Sequence, residues 1–389
     1  MHILVMASGW EPEIVGGIKR YQNEVLPRLK ARGHEVMVIS SSKYHSGLVE
    51  NLGIPVRYIK YSGGFSTIIT VPKKLAWGLF YLIKFRPNVV FAQKAANAIY
   101  APIFRLLGVP TVCHSHGVFR FVESHLSEAM DYYRKKDTAK WLIAKVAPFI
   151  EGFSMKSCKA VIVFTKFHAE HLTERDGLPM SKMRVIPNGV DTAKFNPLLD
   201  GSKFRKRFNL QGMVVGYCGR IVFLKGIDTL IEAISIAKEK NPDVKLCLVG
   251  DFPEHPKTYW EEMVRSKNLE DRVVFTESIE DEWMPYAYKA FDVYCQLTAP
   301  TYGFEIAMCE AMACGKPVIS TKAVERDEIF GDAYYPCEWK DAKSTAEAIN
   351  TLLRSPGLCK EMGDKARIKM MEYDWNKIVD SVEKVLAGS

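Results

Sequence analysis

The chain has 389 residues, of which 48% are apolar and 25% are charged, with a formal net charge of +8. These values exclude a disordered chain, a fibre and a collagen, and the length predicts two domains. No apolar run reaches the roughly 18 uncharged residues of a membrane-spanning helix, and the first residues carry no signal-peptide pattern. The nine cysteines include no C-x-x-C pair, which favours reduced, buried thiols over a zinc site or a disulfide framework. We therefore expect a cytoplasmic protein.

The first half of the chain alternates short apolar runs with helical stretches. A helix is predicted from about Gly17 to Arg32, where Gly33 ends it. Near-continuous apolar runs are typical of buried parallel strands. They predict strands at His2–Ala7, Val36–Ser40, Val89–Phe91, Thr111–Cys113 and Ala160–Phe164.

The same pattern restarts in the second half, with predicted helices at Ile227–Lys238, Ile306–Ala313 and Trp375–Leu386. The predicted strands are Met213–Gly219, Val244–Val249, Val273–Phe275, Val293–Gln296 and Pro317–Ser320. The fold class is therefore α/β, with two doubly wound Rossmann-like domains that face a central cleft. We place an acceptor-side domain at 1–190 and a nucleotide-sugar-binding domain at 195–372. The last helix, about 373–389, is expected to pack back on the first domain.

Residues 51–122 contain no aspartate or glutamate and nine lysines and arginines. A solvated basic surface explains this without a partner, whereas a surface that meets an anionic membrane is the sharper alternative. The segment 73–86 mixes apolar and aromatic residues with lysine and arginine, which suits a membrane face but also a helix buried against a sheet. Nucleic-acid binding is disfavoured, because no binding motif accompanies the basic stretch.

Six segments, at 16–36, 112–117, 185–197, 216–234, 246–251 and 305–320, resemble in order and spacing the GT-B-fold retaining glycosyltransferases of family 4. These enzymes use nucleotide-sugar donors. The resemblance covers the whole second domain, the first 40 or so residues and the HSHG segment. Residues 41–108 and 118–158 show no specific match.

Two of these segments carry candidate phosphate-binding groups. Arg220 and Lys225 stand in GRIVFLKG, after a strand, where two cations can neutralise a departing diphosphate. They could also be ordinary surface cations, but the resemblance implies that both hold the donor pyrophosphate. Gly16 and Gly17 lie between a strand and a helix, where glycine allows a close approach to phosphate. A Gly-Gly pair is often only a turn; the resemblance gives it contact with the donor phosphate.

Glu310 is a candidate ribose ligand, although it could be a helix N-terminal acid that the helix dipole stabilises. The resemblance implies the ribose role. The backbone amides around Phe304 and Ile306 could hold a phosphate at the start of a helix. Eight residues before Glu310, where the family usually has a glutamate, this chain has Tyr302, and Glu305 stands where a glycine is usual.

This departure leaves three alternatives open. Glu305 substitutes for the usual glutamate, Tyr302 hydrogen-bonds a different sugar, or the protein is weakly active or inactive. His116, with His114 as the alternative, fits the histidine of the family, which hydrogen-bonds the donor sugar or phosphate. The His-x-His spacing alone also suits a metal, but no carboxylate or cysteine cluster accompanies it.

The resemblance implies a retaining transferase that moves a sugar from a nucleoside-diphosphate sugar to an acceptor hydroxyl. The catalytic candidates are Arg220, Lys225, His116 and Glu305. No cofactor and no metal is expected. The acceptor is a carbohydrate or is lipid-linked, as in polysaccharide, glycolipid or glycoconjugate biosynthesis, and the protein could work at the inner membrane face. The alternatives are a catalytically weak nucleotide-sugar-binding protein and a nucleotide-sugar epimerase; a nicotinamide oxidoreductase is disfavoured by the lack of a G-x-G-x-x-G motif.

Overall fold

A computed structural model describes residues 1–11, 16–61, 66–116, 149–300 and 304–388. Its backbone contacts divide the chain into two compact units. The N-terminal unit comprises Met1–Asn188 and Trp375–Ser389, and the C-terminal unit comprises Gly189–Asp374. In the described residues, no helix is both long and apolar enough to cross a membrane.

Fourteen strands form one sheet in each unit, with eight strands in the first sheet and six in the second. The N-terminal strands are β1 (His2–Ser8), β2 (Glu35–Ser42), β3 (Gly47–Asn51), β4 (Ile54–Lys60), β5 (Val89–Gln93), β6 (Thr111–His114), β7 (Ala160–Val163) and β8 (Met183–Val185). The C-terminal strands are β9 (Met213–Cys218), β10 (Val244–Val249), β11 (Val273–Glu277), β12 (Val293–Gln296), β13 (Val318–Thr321) and β14 (Tyr335–Cys337).

The helices surround these sheets, and residues 149–156 are helical as well. The labelled helices are α1 (Gly17–Ala31), α2 (Ser66–Lys84), α3 (Ala101–Leu106), α4 (Lys166–Asp176), α5 (Ser202–Arg207), α6 (Ile227–Ala237), α7 (Lys257–Ser266), α8 (Met284–Ala290), α9 (Ile306–Ala313), α10 (Val324–Phe330), α11 (Ala342–Leu353), α12 (Pro356–Glu372) and α13 (Trp375–Ala387).

Each sheet changes direction once, beside its first strand. The N-terminal order is β3-β4-β2-β1-β5-β6-β7-β8, and the C-terminal order is β11-β10-β9-β12-β13-β14. All pairs are parallel except β3 with β4. The order therefore reverses between β1 and β5 in one unit and between β9 and β12 in the other. In open α/β sheets, ligands bind at the carboxyl ends of the strands at such switch points.

Hydrophobic burial fixes the central strands. Ile3–Ala7 of β1 and the apolar residues of β9 and β10 are covered on both sides, as expected for parallel strands between helix layers. Eight of the nine cysteines are buried and all nine are unpaired, which confirms the prediction of buried thiols. The fold is α/β with two doubly wound units, as predicted.

The last helix, α13, belongs to the N-terminal unit. Its Trp375 is buried and contacts the ring of Tyr21 on α1, with the centroids 5.8 Å apart. Arg32 forms ion pairs with Asp380 at 2.6 Å and with Glu383 at 2.8 Å. Apolar burial and these ion pairs fix α13 against α1.

Candidate active site

The loop after β9 brings Lys225 to the switch point of the C-terminal unit. Residues Phe223–Lys225 form a short 3₁₀ turn, and Gly226 follows with φ 69°. A side chain at Gly226 would begin 2.6 Å from the carbonyl oxygen of Leu297, just past β12, so the close approach requires glycine. The amide of Ala299 also donates to the Leu224 carbonyl at 3.2 Å. The turn is thereby fixed against the end of β12.

Lys225 and Glu305 form an ion pair at this position. The Lys225 ammonium donates to Glu305 Oε1 at 2.6 Å, and the two side chains are only 10% and 13% exposed. Arg220, the other predicted phosphate ligand, lies exposed two residues after β9, and its carbonyl accepts a hydrogen bond from Tyr217 at 2.9 Å. The structure therefore places Lys225 and Glu305 together at the switch point and Arg220 at its edge.

A buried arginine that the sequence analysis missed lies near the same carboxylate. Arg326 donates to the Thr321 carbonyl at 2.8 Å and to the Thr298 carbonyl at 3.0 Å, at the ends of β13 and β12. Burial lowers the pKa of Arg326, whereas the negative charge of Glu305 acts in the opposite direction. Glu305 therefore lies in the field of two cations, Lys225 and Arg326.

Glu310 lies inside α9 and is buried. The hydroxyl of Tyr288, on α8, donates to Glu310 Oε2 at 2.8 Å. The alternative interpretation of Glu310 as a helix N-terminal acid is therefore wrong, because it is the fifth residue of α9. Ile306 is the first residue of that helix, Glu305 is its N-cap without a side-chain cap bond, and Phe304 precedes it.

The N-terminal unit carries the predicted glycines and histidines at the carboxyl ends of β1 and β6. Gly16 precedes α1 with φ 152°, and the first turn of α1, which begins at Gly17, contains no acidic residue. His114 ends β6 and is fully buried, and the His114 and His116 rings lie 4.0 Å apart. Tyr21 of α1 contacts both rings, at 4.4 and 5.1 Å. The predicted glycines and histidines thus belong to one region of this unit.

Both histidines are neutral at physiological pH. Burial, with smaller contributions from Lys94 and His168, lowers the pKa of His116 to about 3. Burial and the two neighbouring histidines lower the pKa of His114 as well. His116 Nε2 lies 2.9 Å from Gln93 Oε1 at the end of β5, so this nitrogen carries the proton and donates. A neutral imidazole suits hydrogen bonding better than proton transfer.

Some predicted groups lie outside the described residues, namely Tyr302, Gly117 and Arg120. Others were missed: Arg326, Tyr288 and Gln93 carry no motif, and only their tertiary contacts reveal them. Lys74 of the acid-free stretch is a further buried cation, considered below. The described part of the chain holds no cluster of three or more His, Cys, Asp or Glu side chains that could bind a metal ion.

Comparison with known proteins places these features in a family. The sequence model of Glycosyltransferase Family 4 matches residues 15–194, and that of Glycosyl transferases group 1 matches residues 200–369. Mannosylfructose-phosphate synthase of Agrobacterium fabrum is 34% identical over 218 residues, which cover 54% of this chain and 47% of that protein. D-inositol 3-phosphate glycosyltransferase of Salinispora arenicola is 28% identical over 250 residues, or 58% of this chain and 54% of that protein. The chain thus spans about half the length of these two relatives.

Solved structures agree over the whole chain. HepE from Anabaena, in complex with UDP, has a TM-score of 0.79 at 20% identity and covers 100% of both chains. Sucrose-phosphate synthase from Thermosynechococcus elongatus has a TM-score of 0.80 at 21% identity, covering 99% of this chain and 98% of that one. These likenesses establish the fold as GT-B. With both halves matched by sequence and the whole chain by structure, the protein belongs to the glycosyltransferases of family 4, also described as group 1.

Proposed function

We propose that the chain transfers a sugar from a nucleoside-diphosphate sugar to an acceptor hydroxyl, with retention of anomeric configuration. The observation that carries this proposal is the placement of Lys225 at the switch point of the C-terminal unit, with buried Glu310 on the adjoining helix α9. A lysine at that point suits a diphosphate, and a buried carboxylate suits the two hydroxyls of a ribose.

In the proposed reaction, the bond between the anomeric carbon and the β-phosphate oxygen breaks as the acceptor oxygen bonds to the same carbon. The leaving phosphate oxygen takes the acceptor proton, so no protein base is needed. Arg220, Lys225 and the amides at the start of α9 stabilise the charge that grows on the diphosphate. We assign to Gly16, Gly17 and His116 contact with the donor phosphate or sugar. Because the cations supply the positive charge, we expect no metal requirement.

Glu305 carries the departure from the family pattern. Its carboxylate accepts a hydrogen bond from Lys225 in the ligand-free structure, so a diphosphate that binds Lys225 competes with it. We propose that Glu305 then substitutes for the usual glutamate and contacts the transferred sugar. Hydrogen bonding of a different sugar by Tyr302 and weak activity are the alternatives that the assays below distinguish.

The donor is proposed to be a uridine or guanosine diphosphate sugar, with uridine tested first because the similar HepE structures contain UDP and UDP-glucose. The acceptor is proposed to be a carbohydrate or a lipid-linked molecule in polysaccharide, glycolipid or glycoconjugate biosynthesis. A phosphatidylinositol N-acetylglucosaminyltransferase component from Homo sapiens, which is 23% identical over 99% of this chain and 75% of that protein, supports the lipid-linked class by its name.

Contact with an anionic membrane through residues 51–122 is part of the proposal, at the cytoplasmic face. On α2, Ile83 is 80% exposed, Phe80 is exposed beside it, and Lys84 lies 5.7 Å from the Phe80 ring. An apolar surface flanked by cations can lie at an anionic bilayer surface. Sedimentation with vesicles tests this contact: Ile83→Asp should reduce binding to vesicles with anionic lipid, and equal binding by both proteins would contradict it.

Calorimetric titration of the full chain with UDP, GDP, ADP and their sugar conjugates tests the transferase proposal. One nucleotide series should bind, and Lys225→Met should weaken it by about ten- to a hundredfold, the loss of one or two kilocalories of charge-assisted bonding. Lys240→Met, at an exposed position of the same unit, is the matched control. No binding of any series would overturn the proposal.

Product analysis then separates the alternatives. Transfer to an acceptor or slow hydrolysis of the bound donor supports the transferase, whereas tight binding without turnover supports the catalytically weak binding protein. Release of an epimeric nucleotide sugar would support the epimerase.

A further inference from the structure

Lys74 is a buried cation at the switch point of the N-terminal unit. It lies on α2, and its ammonium donates to the Ala7 carbonyl at 2.6 Å, to Ser8 Oγ at 3.0 Å and to Asn97 Oδ1 at 3.1 Å. Ala7 and Ser8 end β1, whereas Asn97 follows β5 and donates to the Gln93 carbonyl at 2.6 Å. Lys74 therefore joins the carboxyl ends of β1 and β5, the two strands between which the sheet order reverses.

Lys94 follows β5 immediately, in an unusual conformation. Its φ is 80°, in the left-handed region that a lysine seldom adopts. The amide donates to the His114 carbonyl at 2.9 Å, so the backbone is fixed against β6. The side chain is partly buried, and among the described residues no carboxylate or other acceptor binds its ammonium. Residues in strained conformations are concentrated at functional sites.

The charges here are uncompensated by the protein. Burial lowers the pKa of Lys74 to about 7, and the charge of Lys94 lowers it further. Burial also lowers the pKa of Lys94, and Lys94 in turn lowers that of His116. Glu11, which follows β1, already accepts hydrogen bonds from Ser42 and the amide of Lys43 at the end of β2. Two partly desolvated cations without a carboxylate are costly unless an anion binds them.

We propose that Lys94 binds a phosphate group carried by the acceptor, so that the acceptor of this enzyme is a phosphate ester. Lys74 acts as a positioning residue, because it holds Asn97 and the two strand ends and adds a positive field. This inference rests on the proposed function, in which Arg220 and Lys225 of the C-terminal unit hold the donor diphosphate. An unpartnered lysine on the other unit then serves a second anion, and the acceptor is the remaining substrate.

Calorimetry with inorganic phosphate tests the site in full-length protein that carries Lys225→Met, which removes the cation of the donor site. This protein should bind phosphate, and addition of Lys94→Met should weaken binding about tenfold, the loss of one charge-assisted hydrogen bond. Lys73→Met is the matched control, since Lys73 lies beside Lys74 on α2 but is exposed. Equal phosphate affinity with and without Lys94→Met, or an equal loss from Lys73→Met, would overturn the proposal.

A second measurement separates this proposal from the transferase proposal. Nucleoside diphosphates should bind equally to the natural protein and to Lys94→Met. A loss of nucleoside-diphosphate binding in Lys94→Met would assign Lys94 to the donor and overturn the acceptor site. Failure of the natural protein itself to bind any nucleoside diphosphate would overturn the transferase proposal, whatever the phosphate result.

The phosphate ester can be a soluble molecule or a lipid headgroup. Glycerol 3-phosphate represents the first source, and phosphatidylcholine vesicles with or without phosphatidylinositol represent the second. Binding of glycerol 3-phosphate that is weakened in Lys94→Met supports a soluble ester. Phosphatidylinositol-dependent vesicle binding that is weakened in Lys94→Met supports a headgroup. If Lys94→Met changes neither, the acceptor phosphate site is refuted.

Discussion

The two units hold a buried lysine at equivalent positions, yet compensate its charge differently. In the C-terminal unit, Lys225 lies at the β9–β12 switch point and pairs with Glu305 at 2.6 Å. In the N-terminal unit, Lys74 lies at the β1–β5 switch point and has only neutral oxygen acceptors. The first site is neutral until a ligand displaces the carboxylate, whereas the second is positive and favours an anion directly. The same doubly wound architecture thus offers two electrostatically different ligand sites.

Breaking the ion pair should give the largest change. Glu305→Ala leaves Lys225 without its carboxylate, and we expect the free energy of unfolding of the C-terminal unit to fall by about 3 kcal/mol. Lys225→Met together with Glu305→Ala should cost less than the sum of the two single changes, because neither charge is then left unpaired. Urea denaturation of the four proteins measures this cycle, and strict additivity would show that the pair does not stabilise the unit.

The pH dependence of stability should distinguish Lys74 from a paired lysine. The folded pKa of about 7 lies below the unfolded value of about 10.4, so between these values the unfolded chain binds more protons. Stability therefore rises with pH in this window and is lost as the pH falls towards 7. Lys94, whose pKa is also lowered, and neutral His116 face the same region.

We expect the stability difference between the natural protein and Lys74→Met to change by about 2 kcal/mol between pH 7 and 9, in favour of the natural protein at the higher pH. Denaturation at fixed ionic strength measures it, with Lys73→Met as the control. Parallel pH curves for the natural protein and Lys74→Met would mean that Lys74 titrates normally.

Removal of the carboxylate charge from the C-terminal site should make it resemble the N-terminal one. Glu305→Gln frees Lys225 from its internal anion, so we expect the nucleoside diphosphate to bind about tenfold more tightly, or about 1.4 kcal/mol. Glu347→Gln, at an exposed position of the same unit, controls for the lost charge. Weaker binding of the nucleoside diphosphate would show that Glu305 does not compete with it.

The sequence predicted the central strands well because they are apolar on both sides; β10 and β12 agree to the residue. It missed β3 and β4, whose antiparallel pair lies at the sheet edge with β3 largely exposed, and the three-residue edge strands β8 and β14. Short or exposed edge strands lack the continuous apolar run by which the others were found.

Among site residues, the sequence placed Lys225, Glu310 and His116 through motifs, but could not reveal partners that come from distant elements, such as Tyr288 for Glu310. Lys74 had a signal that was not used. It lies on the stripe Thr70, Lys74, Gly78 and Tyr81, whose helical spacing marks the buried face of α2. A lysine on an otherwise buried stripe is unusual, whereas Lys73, one residue earlier, faces solvent.

The smallest effect is expected from a neutral partner of a buried carboxylate. Burial, together with the charge of Glu310, raises the pKa of Tyr288, so the phenol stays protonated and donates to Glu310 at 2.8 Å. Tyr288→Phe keeps the ring contact with Phe195, at 5.8 Å between centroids, and removes only that hydrogen bond. We expect a loss of stability of about 1 kcal/mol.

The same substitution should loosen the orientation of the proposed ribose ligand. Binding of the nucleoside diphosphate should therefore weaken a few-fold, whereas inorganic pyrophosphate, which has no ribose, should bind unchanged. Tyr286→Phe, at a partly buried position on the same helix, is the control, and calorimetry with both ligands is the measurement. An equal loss for pyrophosphate would place Glu310 among the groups that organise the diphosphate, and so closer to Lys225 in role than a ribose ligand would be.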